Sequence, residues 1–196
     1  ETSASYTGYT GTYSMVVTNL GPDDHGGTAA TGTSVTAAAA ARAGEIQFTT
    51  DVDTFVFTAA ANTVYRFSCT SAVSYDLCRL SAKNSSGVVV SSAYENSSTS
   101  VTFRAATAGT YSVEVSGDGY SVGSYSVTLV VVPDDHGDTP GTATGVTLGL
   151  SRASNLEFIG DVDYFSMTLV AGGAYTASTT GISTTITVYD PSLGQV

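Results

Sequence analysis

Two stretches of the chain nearly repeat each other, and this constrains the fold more than any other feature. Gly8 to Thr28 and Gly119 to Thr139 share a Gly-Tyr start, a Thr/Val-rich strand pattern, a proline and then Asp-Asp-His-Gly. Further on, Phe48-Thr-Thr-Asp-Val-Asp-Thr-Phe55 matches Phe158-Ile-Gly-Asp-Val-Asp-Tyr-Phe165. Asp134 follows Asp23 by 111 residues and Asp161 follows Asp51 by 110. Several motifs recurring in one order at a nearly constant offset mark a structural repeat of about that length. The chain is therefore expected to parse into residues 1–21, the closing strand of a preceding repeat; 22–132, a complete module; and 133–196, the N-terminal half of a following repeat. Because the first residues fall in the middle of a repeat, the natural chain is expected to be longer. No flexible linker separates the pieces, and Pro22 and Pro133 stiffen the junctions by fixing φ.

Within the complete module, Asp53–Thr58, Val64–Ser68, Ser100–Arg104 and Tyr111–Val115 alternate in polarity as half-buried strands do. Val88–Val90 and Tyr125–Val130 add two more. Turn residues stand between them at Asn84–Gly87, Ala108–Gly109 and Gly117–Gly119. The Ala-rich stretch from Val35 to Ala43 reads as a strand edge, with a helical turn as the alternative. Phe55, Phe57, Tyr65, Phe67 and Tyr111 occupy inward positions. Short strands with a turn every ten or so residues predict an all-β fold of antiparallel β-sandwich, jelly-roll-like modules in tandem.

The chain has 196 residues and a net charge of −11, with six Lys and Arg against seventeen acids. Such a surface repels nucleic acid and anionic membranes and attracts cations. No apolar run reaches the ~20 residues that span a bilayer. The two cysteines, Cys69 and Cys78, are spaced to lie on neighbouring strands of a hairpin, where a disulfide is geometrically possible; two buried thiols are the alternative. The equivalent positions of the third piece carry Thr179 and Thr187, so the bridge is expected to reinforce the fold rather than define it.

Nine of the twelve aspartates gather in two groups: Asp23, Asp24, Asp51 and Asp53, then Asp134, Asp135, Asp138, Asp161 and Asp163. Each group joins a module's first loop to the head of its first long strand. Two unit charges ~4 Å apart repel by about 4 kcal/mol at an effective dielectric of 20. A hard divalent cation with six to eight oxygen ligands relieves that repulsion. Carboxylates two residues apart on a strand point to one side, so Asp51 with Asp53, and Asp161 with Asp163, can converge on one ion. Calcium is the expected ion; magnesium demands octahedral geometry and retains water. The competing reading is that these aspartates cap turns. His25 and His136 hold equivalent positions beside the acids. One imidazole per group with no cysteine nearby is a weak zinc signal, and a turn-packing role explains them better.

These motifs together resemble the bacterial pre-peptidase C-terminal domain family. The resemblance rests on Asp134-Asp-His-Gly-Asp-Thr-Pro-Gly-Thr-Ala-Thr144, Gly160-Asp-Val-Asp-Tyr-Phe165, Ala171-Gly-Gly-Ala-Tyr175 and Ile186-Thr-Val-Tyr-Asp-Pro191. Ala108-Gly-Thr-Tyr111 and Gly123-Ser-Tyr-Ser-Val127 complete it. It covers nearly the whole chain. It implies a jelly-roll-like sandwich of roughly a hundred residues that serves as an accessory module of secreted bacterial proteins, often proteases. Some members bind calcium near the module start and some bind collagen or other polymers. The middle module departs from the pattern at Gly27, where the third piece has Asp138, and at Thr50, where it has Gly160. The first departure bears on its cation affinity.

No Gly-x-Ser-x-Gly elbow is present and neither cysteine has a histidine nearby in sequence. Paired carboxylates can serve glycoside hydrolysis, but a catalytic pair does not recur at successive module starts. The expected function is non-catalytic: a calcium-binding spacer or stabilising module of a larger secreted, extracellular bacterial protein, with other repeats of the same chain as its partners. Two alternatives stand beside it. One is a binding module for collagen, glycan or a cell surface, with Tyr9, Tyr94 and Tyr120 as candidate contacts. The other is homo-assembly, as an adhesin-like or filament subunit, in which residues 1–20 complete residues 133–196 by strand addition. That assembly still lacks equivalents of Val88 to Arg104.

Overall fold

The computed structural model describes residues 11–71, 77–94, 98–192 and 194–195. The chain divides into two compact units: Glu1–Asp135 with Asn155–Val162, and His136–Ser154 with Asp163–Val196.

The first unit is an all-β sandwich. Its strands are β1 (Thr33–Ser34), β2 (Arg42–Ile46), β3 (Val52–Ala59), β4 (Thr63–Ser71), β5 (Arg79–Lys83), β6 (Val89–Tyr94), β7 (Ser98–Ala105), β8 (Gly109–Ser116) and β9 (Gly123–Val132). One sheet runs β1-β3-β8-β5-β6 and the other β2-β9-β4-β7. All pairings are antiparallel except the short parallel β1–β3 contact. Consecutive strands mostly change sheet, and β5–β6 forms a hairpin within one sheet. Its turn is built by Asn84, whose Oδ1 accepts from the Ser86 and Val88 amides, while Gly87 takes a positive φ of 78°.

The inner faces meet through aromatic side chains. Phe55, Phe57, Tyr65, Phe67 and Tyr111 are all buried, as their alternation predicts. Phe57 of one sheet lies 5.1 Å from Tyr65 of the other, and Phe103 stacks on Tyr111 at 6.0 Å. Such rings bury large apolar areas, and tilted or offset pairs add about 0.5–1.5 kcal/mol each. Two buried hydroxyls also find acceptors or donors: Tyr111 donates to the Thr107 carbonyl, and Tyr65 accepts from the Ala60 amide.

Two sequence expectations need correction, on the stretch Val35 to Ala43 and on the placement of the cysteines. The stretch Val35 to Ala43 is neither a strand edge nor a helical turn over most of its length. It carries the chain from β1 in one sheet to β2 in the other, turning at Ala38 with a positive φ of 62° and anchored by the Ala38 amide on the Leu129 carbonyl at 2.8 Å. Residues 11–20 are exposed and lie in no strand, and the rest of the segment expected to close a preceding repeat lies outside the described residues. Cys69 and Cys78 are bonded, with Cα atoms 5.7 Å apart, but they do not sit on neighbouring strands of a hairpin. Cys69 belongs to β4 in the four-stranded sheet, and Cys78 immediately precedes β5 in the five-stranded sheet. The bond therefore crosses the sandwich, with both residues fully buried.

In the second unit, a 3-10 turn at Pro140–Thr142 leads into a parallel pair of β10 (Thr144–Gly145) and β11 (Phe165–Ser166). The pair repeats the β1–β3 register: Thr33 faces Phe55 as Thr144 faces Phe165. Many of its apolar side chains are exposed, among them Leu150, Val170 and Ile182.

Two predictions follow from the packing. Replacing both Cys69 and Cys78 by alanine should lower stability by about 2–3 kcal/mol, the value for closing a loop of this size, measured by urea denaturation against the oxidised parent. Gly44 pairs with Tyr125 across β2 and β9, and a Cβ there would lie 2.4 Å from the tyrosine ring. Gly44→Ala should therefore cost about 1–3 kcal/mol through displacement of that ring, visible as a lower melting temperature.

Candidate metal centre

The acidic residues at the start of the first unit are placed by three local structures. Asp23 and Asp24 open the first loop. The turn Phe48–Asp51, closed by the Asp51 amide on the Phe48 carbonyl at 2.9 Å, sets Asp51 immediately before β3. Asp53 is the second residue of β3, on the inward side with Phe55 and Phe57. One carboxylate oxygen from each of Asp23, Asp51 and Asp53 lies within 4.8 Å of the others. Asp51 and Asp53 are buried; Asp23 is exposed.

Turn capping accounts for some of these contacts. Asp51 Oδ2 accepts from the Gln47 amide at 2.8 Å, and Asp23 Oδ1 accepts from the His25 amide at 3.2 Å. Asp24 is used as a latch rather than as a member of the convergent group. Its Oδ2 accepts from the Glu45 amide of β2 and its Oδ1 from Gln47 Nε2, both at 3.1 Å. Asp53 does not cap anything. Its Oδ2 accepts a short hydrogen bond from the Tyr125 hydroxyl of β9, and its Oδ1 is buried with no hydrogen-bond partner among the described residues. A fully buried carboxylate oxygen left in that state is expensive.

Burial is the main reason the Asp53 carboxyl is pushed up to about 7. The charges of Asp24, Asp51 and Asp23 raise it further, against the Tyr125 bond, which lowers it. Asp51 is also raised, again by burial first. Burial and the bond to Asp53 push the Tyr125 hydroxyl up as well, which keeps it a donor. Asp118 shows the opposite behaviour: it is held below the usual range by accepting from the Tyr120 amide and then from that of Ser121. Asp118 is what an ordinary turn-capping aspartate looks like in this chain.

His25 is 4% exposed and fully engaged. Its Nε2 is 2.9 Å from the Ala43 carbonyl, which can only accept, so that nitrogen carries a hydrogen. Its Nδ1 faces the Thr33 hydroxyl at 2.7 Å, and the ring meets Phe55 edge-on at 4.7 Å. Neither nitrogen offers a lone pair to a metal in this arrangement. In the second unit His136 does the same with Thr144 at 2.9 Å and Phe165 at 4.6 Å, with its Nε2 at 3.1 Å from Ser154 Oγ. Both histidines pack the loop onto the strand pair.

The hydrogen bonds of the acidic residues recur as well. Asp161 Oδ2 accepts from the Glu157 amide at 2.7 Å, as Asp51 does from Gln47. Asp135 Oδ2 accepts from the Asn155 amide at 3.0 Å, as Asp24 does from Glu45. Asp134, Glu157 and Asp161 form a second convergent group within 4.8 Å. Glu157 is pushed up by burial, then by a hydrogen bond with Asp161 and the charges of Asp135 and Asp161. Asp163 and Asp138 belong to the second unit, both half-buried, and Asp138 is in none of the convergent groups of three found among the described residues.

Glu157, Gln47 and Tyr125 were not among the residues singled out by sequence. The repeat alignment itself held the signal for the first two, since each stands four residues before the Asp-Val-Asp. Of the candidate surface aromatics, Tyr94 and Tyr120 are 66% and 88% exposed, and Tyr9 lies outside the described residues.

No protein-family model matches the chain, and no curated protein matches it. Among solved structures, the 1.0 Å crystal structure of the pre-peptidase C-terminal domain of a collagenase from Bacillus anthracis aligns with it at a TM-score of 0.38 and 12% identity. The alignment covers 57% of this chain and 99% of that one. The sandwich and the acidic site described above stand without that likeness.

The raised Asp53 and Asp51 carboxyls fix a sign for pH dependence. A carboxyl whose folded pKa lies above its unfolded value holds more protons when folded between the two values. Stability then falls as pH rises through that window. With chelator present, the melting temperature should be higher near pH 5 than near pH 8, and Asp53→Asn should flatten the difference.

Proposed function

We propose that the first unit is a non-catalytic sandwich module that holds a calcium ion at its entrance, as one of a series of tandem modules in a larger extracellular protein. The buried, unpartnered Asp53 Oδ1 beside Asp23 and Asp51 carries this reading. The donor set is all oxygen, which suits a hard cation, and the histidines are committed elsewhere. Asp23, Asp51 and Asp53 are the residues that would hold the ion. When bound, it supplies positive charge that offsets the mutual repulsion of the three carboxylates and the burial of Asp53. The residues around it do the structural work: Asp24 latches the first loop to β2, His25 packs that loop on Phe55, and Tyr125 ties Asp53 to the last strand. The site thereby joins the start of the module to its end.

The tandem arrangement, with 22–132 as one module and 133–196 as the first half of the next, is supported by the recurring strand register and hydrogen bonds. The inter-sheet disulfide fits an oxidising, extracellular setting.

Calcium at a hundredfold excess over Kd should stabilise the folded state by about 2.7 kcal/mol. The melting temperature of the chain should fall on addition of chelator and return with calcium. An identical melt in both conditions removes the proposal.

A further inference from the structure

A strand at the end of a sheet carries a row of backbone N–H and C=O groups that nothing pairs, and folds guard such edges against other chains. Among the described residues, three of the four sheet edges in the first unit are guarded. β1 is only two residues long, and β2 carries Arg42 and Glu45, both exposed. β7 is polar on its outward side, from Ser98 and Ser100 to Arg104. β6 differs. It ends the five-stranded sheet, and from Val89 to Tyr94 it has no charge and no proline. Val88, Val89 and Val90 are 58%, 51% and 39% exposed, and Tyr94 is exposed as well. A bulge at Val89 and Val90, opposite Lys83, is confined to one end of the strand. Beyond it the strand alternates regularly: Val90, Ser92 and Tyr94 are exposed, and Ser91 and Ala93 are half-buried.

We infer that β6 pairs with the β6 of a second copy of this chain, antiparallel about a twofold axis at Ser92. An axis perpendicular to the sheet keeps outward residues outward, so the contact is self-complementary. Val90 of each copy meets Tyr94 of the other, Ser91 meets Ala93, and Ser92 meets itself. A β-branched residue opposite an aromatic one is a favourable cross-strand pair. Arg79 lies over the Tyr94 ring at 5.8 Å and steadies it on the outward side. Charge points to the same edge. Two chains of net charge −11 repel each other. The hairpin from Arg79 to Tyr94 carries two positive charges and no acid, so it adds no carboxylate of its own to that repulsion. A strand of six residues is about 20 Å long, and pairing two of them buries less than the ~1,200 Å² of a permanent dimer. The contact is therefore reversible and depends on concentration. The inference goes beyond the calcium reading and does not depend on it.

Sedimentation velocity on the 196-residue chain tests this, in chelator so that no cation bridges the acidic residues of two copies. The average mass should rise from monomer towards dimer as concentration increases. Val90→Lys, which puts a charge on the edge, should abolish that rise. Because Val90 is exposed, the variant should melt with the parent, which circular dichroism checks. Ser92→Cys tests the register. Opposed Cα atoms of an antiparallel pair are about 4.5–5.5 Å apart, within disulfide reach. This variant should form a covalent dimer under mild oxidation, while Thr58→Cys, exposed on β3, should not. A parent that stays monomeric at every concentration overturns the inference. So does a dimer that Val90→Lys leaves intact or that Ser92→Cys fails to cross-link, since the contact then lies elsewhere, as at the exposed apolar side chains of the second unit.

Discussion

The structure depends on a carboxylate placed where a carboxylate is least tolerated. Asp53 sits on the inward face of β3, in line with Phe55 and Phe57, at the point where the aromatic core ends. Burying a charge there without compensation costs several kcal/mol. The surrounding elements are organised around that cost. The first loop brings Asp23, the turn before β3 brings Asp51, and β9 brings the Tyr125 hydroxyl. Gly44 is a glycine because the Tyr125 ring lies across it, so the identity of a residue on β2 follows from the need to reach Asp53. The first loop, the turn into β3 and the last strand meet at one side chain.

The entrance is encoded locally. Within the second unit, β10 and β11 reproduce the β1–β3 pair and His136 reproduces the contacts of His25, although among the described residues that unit has a two-stranded pair where the first has two full sheets. A loop of small residues, one buried histidine and a Thr-Phe strand contact recur in both units. The larger sandwich adds what is remote: the tyrosine from the last strand.

What the sequence made legible, and what it hid, follow from the same physics. β3, β4, β7 and β8 announce themselves because their inward positions are large aromatics or valines, so polarity alternates at period two. β2 and β5 do not, because their inward positions include Gly44 and Ala82, whose small side chains carry little contrast. The pairing of the cysteines was readable from their spacing, but their place across the sandwich was not, since sheet membership is decided by non-local pairing. Carboxylates at the entrance stood out as an uneven distribution of aspartate. That Asp24 serves as a latch depends on which amides its oxygens meet, and composition carries no trace of that.

The disulfide has a mechanical consequence for the sandwich when it is pulled by its ends. Cys69 and Cys78 are nine residues apart, a segment that extends to about 30 Å when pulled straight. Because the sulfurs already join β4 to the residue before β5, tension passing along the polypeptide takes the covalent shortcut and leaves that segment slack. A module stretched by its ends would lengthen by correspondingly less, and the two sheets would stay tethered to each other even after their side chains had parted.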